Sequence, residues 1–394
     1  MTRVLHILAT ADPVSGGPIE GAIRCGLAWD ADGHRQDLLT LDPPGADHWP
    51  DYPGRIINLG EGRRGLLGRY RFSRGARSWL RGHAGDYDAV IVSGLWNFST
   101  MAARLALVGL PVPYFVFTHG MLDPWFKRTY PLKGVAKQLL WLFNEGVLLR
   151  HATRVLFTTE EERALAERVF LPYRVKAAVV GYGASDMPEG DRRQRAAFDA
   201  AFPAVQGRRF LLFLSRLHAK KGCDLLIGAF ARIAAAHPDL DLVIAGPDDG
   251  HTEAGLRQQV RALGLGQRVH FTGMIGGDLK WGAFRRCEAF ALTSHQENFG
   301  VAVVEAMAAS RPVLITDKVN IWREVEQDGA GLVDNDTADG AERLLRRFLA
   351  MDEGERARMG AAARGSFERR FRADAAAATL MATIQPLARK PAAS

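Results

Sequence analysis

Short runs of β-branched and apolar residues alternate with helical stretches along the whole chain, the signature of parallel sheets joined by crossover helices. In the first half the strand candidates are Arg3 to Leu8, Gln36 to Leu41, Arg55 to Leu59, Ala89 to Ser93, Tyr114 to Thr118, Arg154 to Thr158 and Lys176 to Val180. In the second half they are Phe210 to Leu214, Leu240 to Ala245, Val269 to Thr272, Ala289 to Thr293, Pro312 to Thr316 and Gly331 to Val333. The pattern predicts an α/β protein with two Rossmann-like, doubly wound sheets. It breaks between Tyr182 and Arg209, where Gly183, Met187-Pro-Glu-Gly190 and the charged run Asp191 to Arg195 intervene. The expected division is a first domain over 1–185, a linker over 186–208, a second domain over 209–364 and a final stretch over 365–394. Within that stretch the helical segment Gly365 to Leu387 is expected to fold back across the interface, and the tail from Lys390 to fray. Open α/β sheets bind ligands at the carboxyl ends of their strands, so two such domains are expected to face each other across a cleft.

One helical stretch departs from the usual amphipathic pattern. Val301 to Ala309 is apolar throughout except for Glu305, and Asn298-Phe-Gly300 reads as the turn that opens it. The free N–H groups of its first turn attract anions and hydroxyls. Helical side chains lean toward the N-terminus, so Glu305 leans toward the region that Glu297 approaches from the preceding loop. The competing reading pairs Glu305 with an internal cation.

Further candidates sit at predicted strand ends. After the strand Phe210 to Leu214 comes Ser215 to Gly222, a turn with cations at Arg216, Lys220 and Lys221 that leads into a helix. This makes an anion site, with Arg216 suited to bidentate contact and Lys221 to a point charge. Ser15-Gly-Gly-Pro18 follows the first strand, and Gly16 and Gly17 let backbone approach a ligand closely. The spacing is not GxGxxG, which argues against a nicotinamide or flavin cofactor. His119 stands at the end of Tyr114 to Thr118, and Asp123, Trp125 and Lys127 shortly after it are acceptor-binding candidates. Asp86-Tyr-Asp88 resembles a metal-binding DxD but directly precedes a buried strand, and Asp248-Asp249 reads as a loop turn. No metal site and no cofactor are expected.

Composition narrows the setting. The chain has 394 residues, 47% of them hydrophobic, and Cys25, Cys223 and Cys287 are widely spaced, as in a reducing compartment. Neither a signal peptide nor a membrane span is predicted, so a cytoplasmic protein is expected. The net charge of +7 is locally concentrated. Arg55, Arg63, Arg64, Arg69, Arg71, Arg74, Arg77 and Arg81 stand against one acid, Glu61, with Leu66, Leu67, Tyr70, Phe72, Trp79 and Leu80 interleaved. That mixture suits an anionic membrane surface at the inner face; without a nucleic-acid module, no nucleic-acid partner is expected.

Taken together, Gly16-Gly17, His119-Gly120, Arg216 with Lys221-Gly222, Gly246-Pro247-Asp248, Glu297-Asn-Phe-Gly300 and Glu305-Ala-Met307 resemble the retaining nucleotide-sugar glycosyltransferases of family four, with the GT-B fold. The resemblance covers nearly the whole chain. It implies an acceptor-side first domain and a nucleotide-sugar-binding second domain. Arg216 and Lys221 would hold the diphosphate of a UDP- or GDP-sugar, Glu305 the ribose, and Glu297 with Asn298, Phe299, Gly300 and Val301 the transferred sugar. His119 and Gly17 would close over the sugar and diphosphate. Ser310 and the segment Asp317 to Trp322 depart from the commonest family pattern and bear on which sugar is moved. The implied activity is transfer to a glycan or lipid-linked glycan acceptor with retention, in polysaccharide or envelope synthesis. The alternatives are a nucleotide-sugar epimerase on the same scaffold and a non-catalytic nucleotide-sugar-binding subunit.

Overall fold

Among the residues described by the computed structural model, 1–248, 250 and 252–389, thirteen strands form two all-parallel sheets. Asp249 and the tail from Lys390 lie outside the described residues. The first sheet contains β1 (Arg3–Ile7), β2 (Arg35–Thr40), β3 (Ile56–Asn58), β4 (Ala89–Ser93), β5 (Tyr114–Phe117), β6 (Arg154–Phe157) and β7 (Ala177–Val179), in the order β3-β2-β1-β4-β5-β6-β7. The second contains β8 (Arg209–Leu214), β9 (Leu240–Ala245), β10 (Val269–Gly273), β11 (Ala289–Leu292), β12 (Val313–Thr316) and β13 (Gly331–Asp334), in the order β10-β9-β8-β11-β12-β13. The strand order turns back once in each sheet, between β1 and β4 and between β8 and β11. In open parallel sheets such a point, at the carboxyl ends of the strands, is where ligands bind.

The central strands are continuous apolar runs because helices cover both faces. All five residues of β4 are buried, and they alternate between two cores. Val90 and Val92 join Leu5, Ile7, Val116 and Phe157 beneath the helices Arg74–His83 and Phe98–Leu107. Ala89 and Ile91 join Val4, Phe115 and Leu156 on the other face. There the cover is Trp29, from the helix Gly17–Ala31, with Ala377, Leu380, Met381 and Ile384 from the helix Ala373–Ile384. Trp29 Nε1 donates to the Ala377 carbonyl at 2.9 Å, so this indole buries its one polar group without leaving it unpaired.

Two units follow from these contacts: 1–183 together with 373–394, and 184–372. The 186–208 stretch, expected as a linker, instead carries the helix Asp191–Ala201, which packs within the second unit on the helix Gly277–Arg286. Gln194 and Phe198 are its buried positions, four apart on one face, while the neighbouring arginines stay in solvent or in ion pairs. Arg285 reaches Gln194 Oε1 at 2.5 Å, and Arg286 pairs with Asp199 at 2.9 Å. With Gln194 half of its buried stripe, the helix reads in sequence as a charged loop.

Ile384 is fully buried in the first unit. Ile384→Ala should destabilise that unit by about 2–5 kcal/mol through lost burial and a residual cavity, measured as a shift in its urea unfolding transition. An unchanged transition would mean that the helix Ala373–Ile384 is not part of that core.

Candidate functional site

In the second unit, the loops after β8 and β11 leave the point where the strand order turns back, and they are tied together. Thr293 Oγ1 donates to the Gly222 carbonyl at 2.6 Å, and His295 N–H donates to the Lys220 carbonyl at 2.8 Å. Glu297 N–H donates to the Lys318 carbonyl at 2.9 Å, and Asn320 N–H to the Glu297 carbonyl at 3.0 Å, which adds the loop after β12. Inside this frame the Lys221 ammonium, buried to 6% exposure, pairs directly with the Glu297 carboxylate. Burial pushes the Glu297 carboxyl up, but the charge and hydrogen bond of Lys221 outweigh it and hold the group below the usual range.

Gly300, at φ +80°, closes the loop and starts the helix Val301–Ala308. A Cβ there would meet Val303 at 3.0 Å and Val319 at 3.3 Å in a backbone conformation that L side chains rarely adopt. Among the described residues no side chain caps this helix, so its first N–H groups remain available. Asn298 and Phe299 precede the turn, Phe299 packing edge-on against Phe371. Glu305, buried on the helix, pairs with Lys280 at 2.7 Å from the helix Gly277–Arg286. The internal partner weighed for Glu305 in the sequence is therefore Lys280. Arg216, by contrast, is exposed, and among the described residues no carboxylate pairs with it.

In the first unit the corresponding loops follow β1, β4 and β5. Gly16, at φ +80°, and Gly17 open the helix Gly17–Ala31, with open space where side chains would stand. His119 follows β5 with φ +46°, an uncommon conformation for a residue with a Cβ. A carboxylate not singled out in the sequence holds that loop: Glu162 Oε1 accepts from Gly120 N–H at 2.6 Å and Thr118 Oγ1 at 2.7 Å, while Oε2 accepts from Thr158 N–H and Oγ1. Thr159 with Glu162 has the spacing of a helix-capping box, and Thr159 does cap Glu162 N–H at 3.0 Å. The glutamate, however, spends its oxygens on the His119 loop. Burial lowers the His119 imidazole to about 4.

The acceptor candidates have structural partners. Asp123 caps the helix Pro124–Thr129 through Trp125 N–H at 2.8 Å. Lys127 donates to the Val169 carbonyl at 2.8 Å and lies over the Phe170 ring. Trp125 packs against Phe126 and Tyr130. Asp88 accepts from Arg3 N–H at 2.7 Å, and Asp248 from Thr252 and Glu253 N–H at 3.1 Å each. Among the described residues no group of three or more His, Cys, Asp or Glu could hold a metal ion. Cys25, Cys223 and Cys287 are free thiols.

The arginine stretch is less free than its composition suggests, because Asp37 on β2 and Asp42 just after that strand supply acids from outside it. Asp37 takes Arg55 through two nitrogens at 3.0 and 2.8 Å, Asp42 takes Arg71 at 2.8 Å, and Glu61 takes Arg63 at 2.7 Å. Arg64, Arg69, Arg74, Arg77 and Arg81 remain exposed beside Leu66 and Leu67. No helix among the described residues is long and apolar enough to cross a membrane.

Comparison with known proteins agrees with this architecture. Residues 16–183 match the family model of the glycosyl transferase 4-like domain, and 194–366 that of glycosyl transferases group 1. Mannosylfructose-phosphate synthase of Agrobacterium fabrum is 25% identical over 354 residues, 81% of this chain and 74% of its own. Phosphatidyl-myo-inositol mannosyltransferase of Mycolicibacterium smegmatis is 34% identical over 204 residues, 50% of each chain. The chain thus spans only half the length of this second relative. Sucrose-phosphate synthase from Thermosynechococcus elongatus superposes with a TM-score of 0.78 at 20% identity, covering 98% of this chain and 99% of its own. Anabaena HepE, solved in complex with UDP and glucose, does so with a TM-score of 0.78 at 17% identity, covering 98% and 100%. Two parallel-sheet α/β units with these matches define a glycosyltransferase of the GT-B fold. The chain belongs to glycosyltransferase family four.

Breaking the Lys221–Glu297 pair from one side strands a buried charge. Lys221→Met should therefore cost about 3–5 kcal/mol in urea unfolding, and the double variant Lys221→Met/Glu297→Gln clearly less than the sum of the two singles. Strict additivity would exclude the coupling. Because the folded Glu297 carboxyl lies below its ordinary 4.5, its contribution is fully present above that pH and is lost as pH falls through the lower folded value.

Proposed function

We propose that this glycosyltransferase moves a sugar from a UDP- or GDP-linked donor to a glycan or lipid-linked glycan acceptor, with retention of anomeric configuration. The observation that carries the reading is the buried Lys221–Glu297 pair beside the uncapped start of the helix Val301–Ala308. A cation, a carboxylate and free N–H groups together suit a diphosphate joined to a hydroxyl-rich sugar. HepE, crystallised with UDP and glucose, supports a nucleotide-sugar donor.

In this reading Arg216 and Lys221 take the diphosphate. Glu297 and the backbone from Asn298 to Val301 take the transferred sugar, Glu305 takes the ribose hydroxyls, and His119 with Gly16 and Gly17 contributes contacts to the sugar and diphosphate. Asp123, Trp125 and Lys127 remain the acceptor-side assignment. Retention without a carboxylate nucleophile calls for departure and attack on one face of an oxocarbenium-like sugar. The work left to the protein is then stabilisation of the leaving diphosphate, to which each preorganised donor contributes about 3–4 kcal/mol.

The same proposal places the acceptor at an anionic membrane. Exposed Arg64, Arg69, Arg74, Arg77 and Arg81 supply charge, and Leu66 and Leu67 supply apolar contact. The helix Pro131–Leu140 adds exposed Leu132, Val135 and Leu139 beside Lys133, an apolar helix face with a cation at its edge.

Screening UDP- and GDP-sugars for thermal stabilisation should identify the donor. Arg216→Ala should then reduce turnover by about 10²-fold in a folded protein; near-native turnover would remove Arg216 from the site. Glu305→Gln should weaken that donor by about 1.5–3 kcal/mol while shifting the ligand-free melting point much less. If the Lys280 pair is the whole role of Glu305, the ligand-free melting point should fall and donor affinity should hold. Binding to phosphatidylglycerol vesicles should weaken with salt, since exposed charges are screened within roughly 10 Å at 0.1 M. Equal binding to neutral phosphatidylcholine vesicles would count against the membrane assignment.

A further inference from the structure

Three buried polar side chains lie together on one face of the first sheet. Gln36 on β2, His6 on β1 and Ser93 at the end of β4 are 3%, 4% and 4% exposed, and they share the face of Val4, Ala89 and Ile91. Their contacts run in a line that ends at His119. Gln36 Nε2 lies 3.0 Å from the Ala22 carbonyl and 3.4 Å from His6 Nδ1. His6 Nε2 lies 2.8 Å from Ser93 Oγ, and Ser93 Oγ lies 3.0 Å from His119 Nε2.

A backbone carbonyl only accepts, so Ala22 fixes which end of the Gln36 amide faces it. The amide nitrogen therefore also faces His6 Nδ1, which has to offer its lone pair. His6 then carries its proton on Nε2 and donates to Ser93 Oγ. The Ser93 hydroxyl has two acceptor lone pairs but one proton, and among the described residues only His119 Nε2 is placed to receive that proton. Burial holds both imidazoles neutral at pH 7, His119 to about 4 and His6 to about 3, the latter assisted by His119. The one proton of the His119 ring is left on Nδ1.

We infer that Gln36, His6 and Ser93 form a one-way hydrogen-bond chain that fixes His119 as its Nδ1–H tautomer, making Ser93 the positioning residue for a neutral donor directed at an acceptor oxygen of the bound substrate. The chemical role rests on the proposed placement of His119 against the donor substrate; the tautomer does not. A phosphate oxygen or a sugar oxygen offering a lone pair satisfies Nδ1–H. The opposite tautomer would present a lone pair to the same oxygen and repel it.

The test is a long-range ¹H–¹⁵N correlation spectrum of the full chain labelled at histidine, at pH 7, with His6→Asn and His119→Asn used to assign the two rings. His119 should show a protonated Nδ1 and a bare Nε2, and His6 the reverse. Ser93→Ala should release His119 toward the Nε2–H form and lower kcat/KM about tenfold with the donor picked by the thermal screen. Ser93→Thr, which retains the hydroxyl, should restore both. A protonated Nε2 on His119 in the native protein, or an unchanged His119 spectrum in folded Ser93→Ala, overturns the chain whatever the activity. Full turnover by His119→Ala overturns the substrate contact it serves while leaving the tautomer result readable.

Discussion

The buried Lys221–Glu297 pair is the constraint around which the second unit's site is organised. Two opposite charges, each tolerable out of water because of the other, lock the loop after β8 to the loop after β11. The hydrogen bonds of Glu297 with the segment 318–320 extend that lock to the loop after β12. The pair leaves Arg216 exposed and the first turn of the helix Val301–Ala308 uncapped. Unpaired donors thus stand beside a paired cation and carboxylate, an arrangement that favours a ligand carrying both negative charge and hydroxyl groups.

In the first unit the loop that carries His119 is held by a different device, a buried carboxylate engaged through hydrogen bonds. Glu162 accepts four hydrogen bonds from Thr118, Gly120 and Thr158. It thereby holds the Thr118 side chain and the Gly120 backbone on either side of His119, whose positive φ persists in a turn so braced. Ser93 restrains the imidazole itself. Backbone and ring are thus restrained independently, as a contact that depends on orientation requires.

The strands were legible because buried parallel strands are written as continuous apolar runs; the structure places an element at each of the thirteen positions. Residues whose partners lie far away in sequence were not legible. The helix Asp191–Ala201 hid behind Gln194, a polar residue buried by its contact with Arg285. Glu162 was not singled out because its spacing from Thr159 carries no trace of Gly120, 42 positions earlier. The eight arginines looked opposed by Glu61 alone because Asp37 and Asp42 lie outside the stretch, on β2 and just after it. At the candidate site the sequence located Lys221, Glu297 and Glu305 on the correct loop and helix. That the first two face each other, and that Lys280 faces the third, required coordinates.

The chain enters the second unit at Ala184 and returns to the first at Ala373, so the second unit is an insertion in the first. Trp29 is synthesised early, yet the carbonyl that satisfies its indole belongs to Ala377, 348 positions later. During translation at about 5–20 residues per second, the face of Val4, Ala89 and Ile91, already met by Trp29, would wait tens of seconds for the rest of its cover, the helix Ala373–Ile384, while the whole second unit is made. Over that interval the nascent first unit carries an apolar sheet face covered only in part, by the helix Gly17–Ala31, and the second unit is free to fold before it. A nascent chain of this topology is therefore most dependent on chaperones during the making of its second half, long after its first half has left the ribosome.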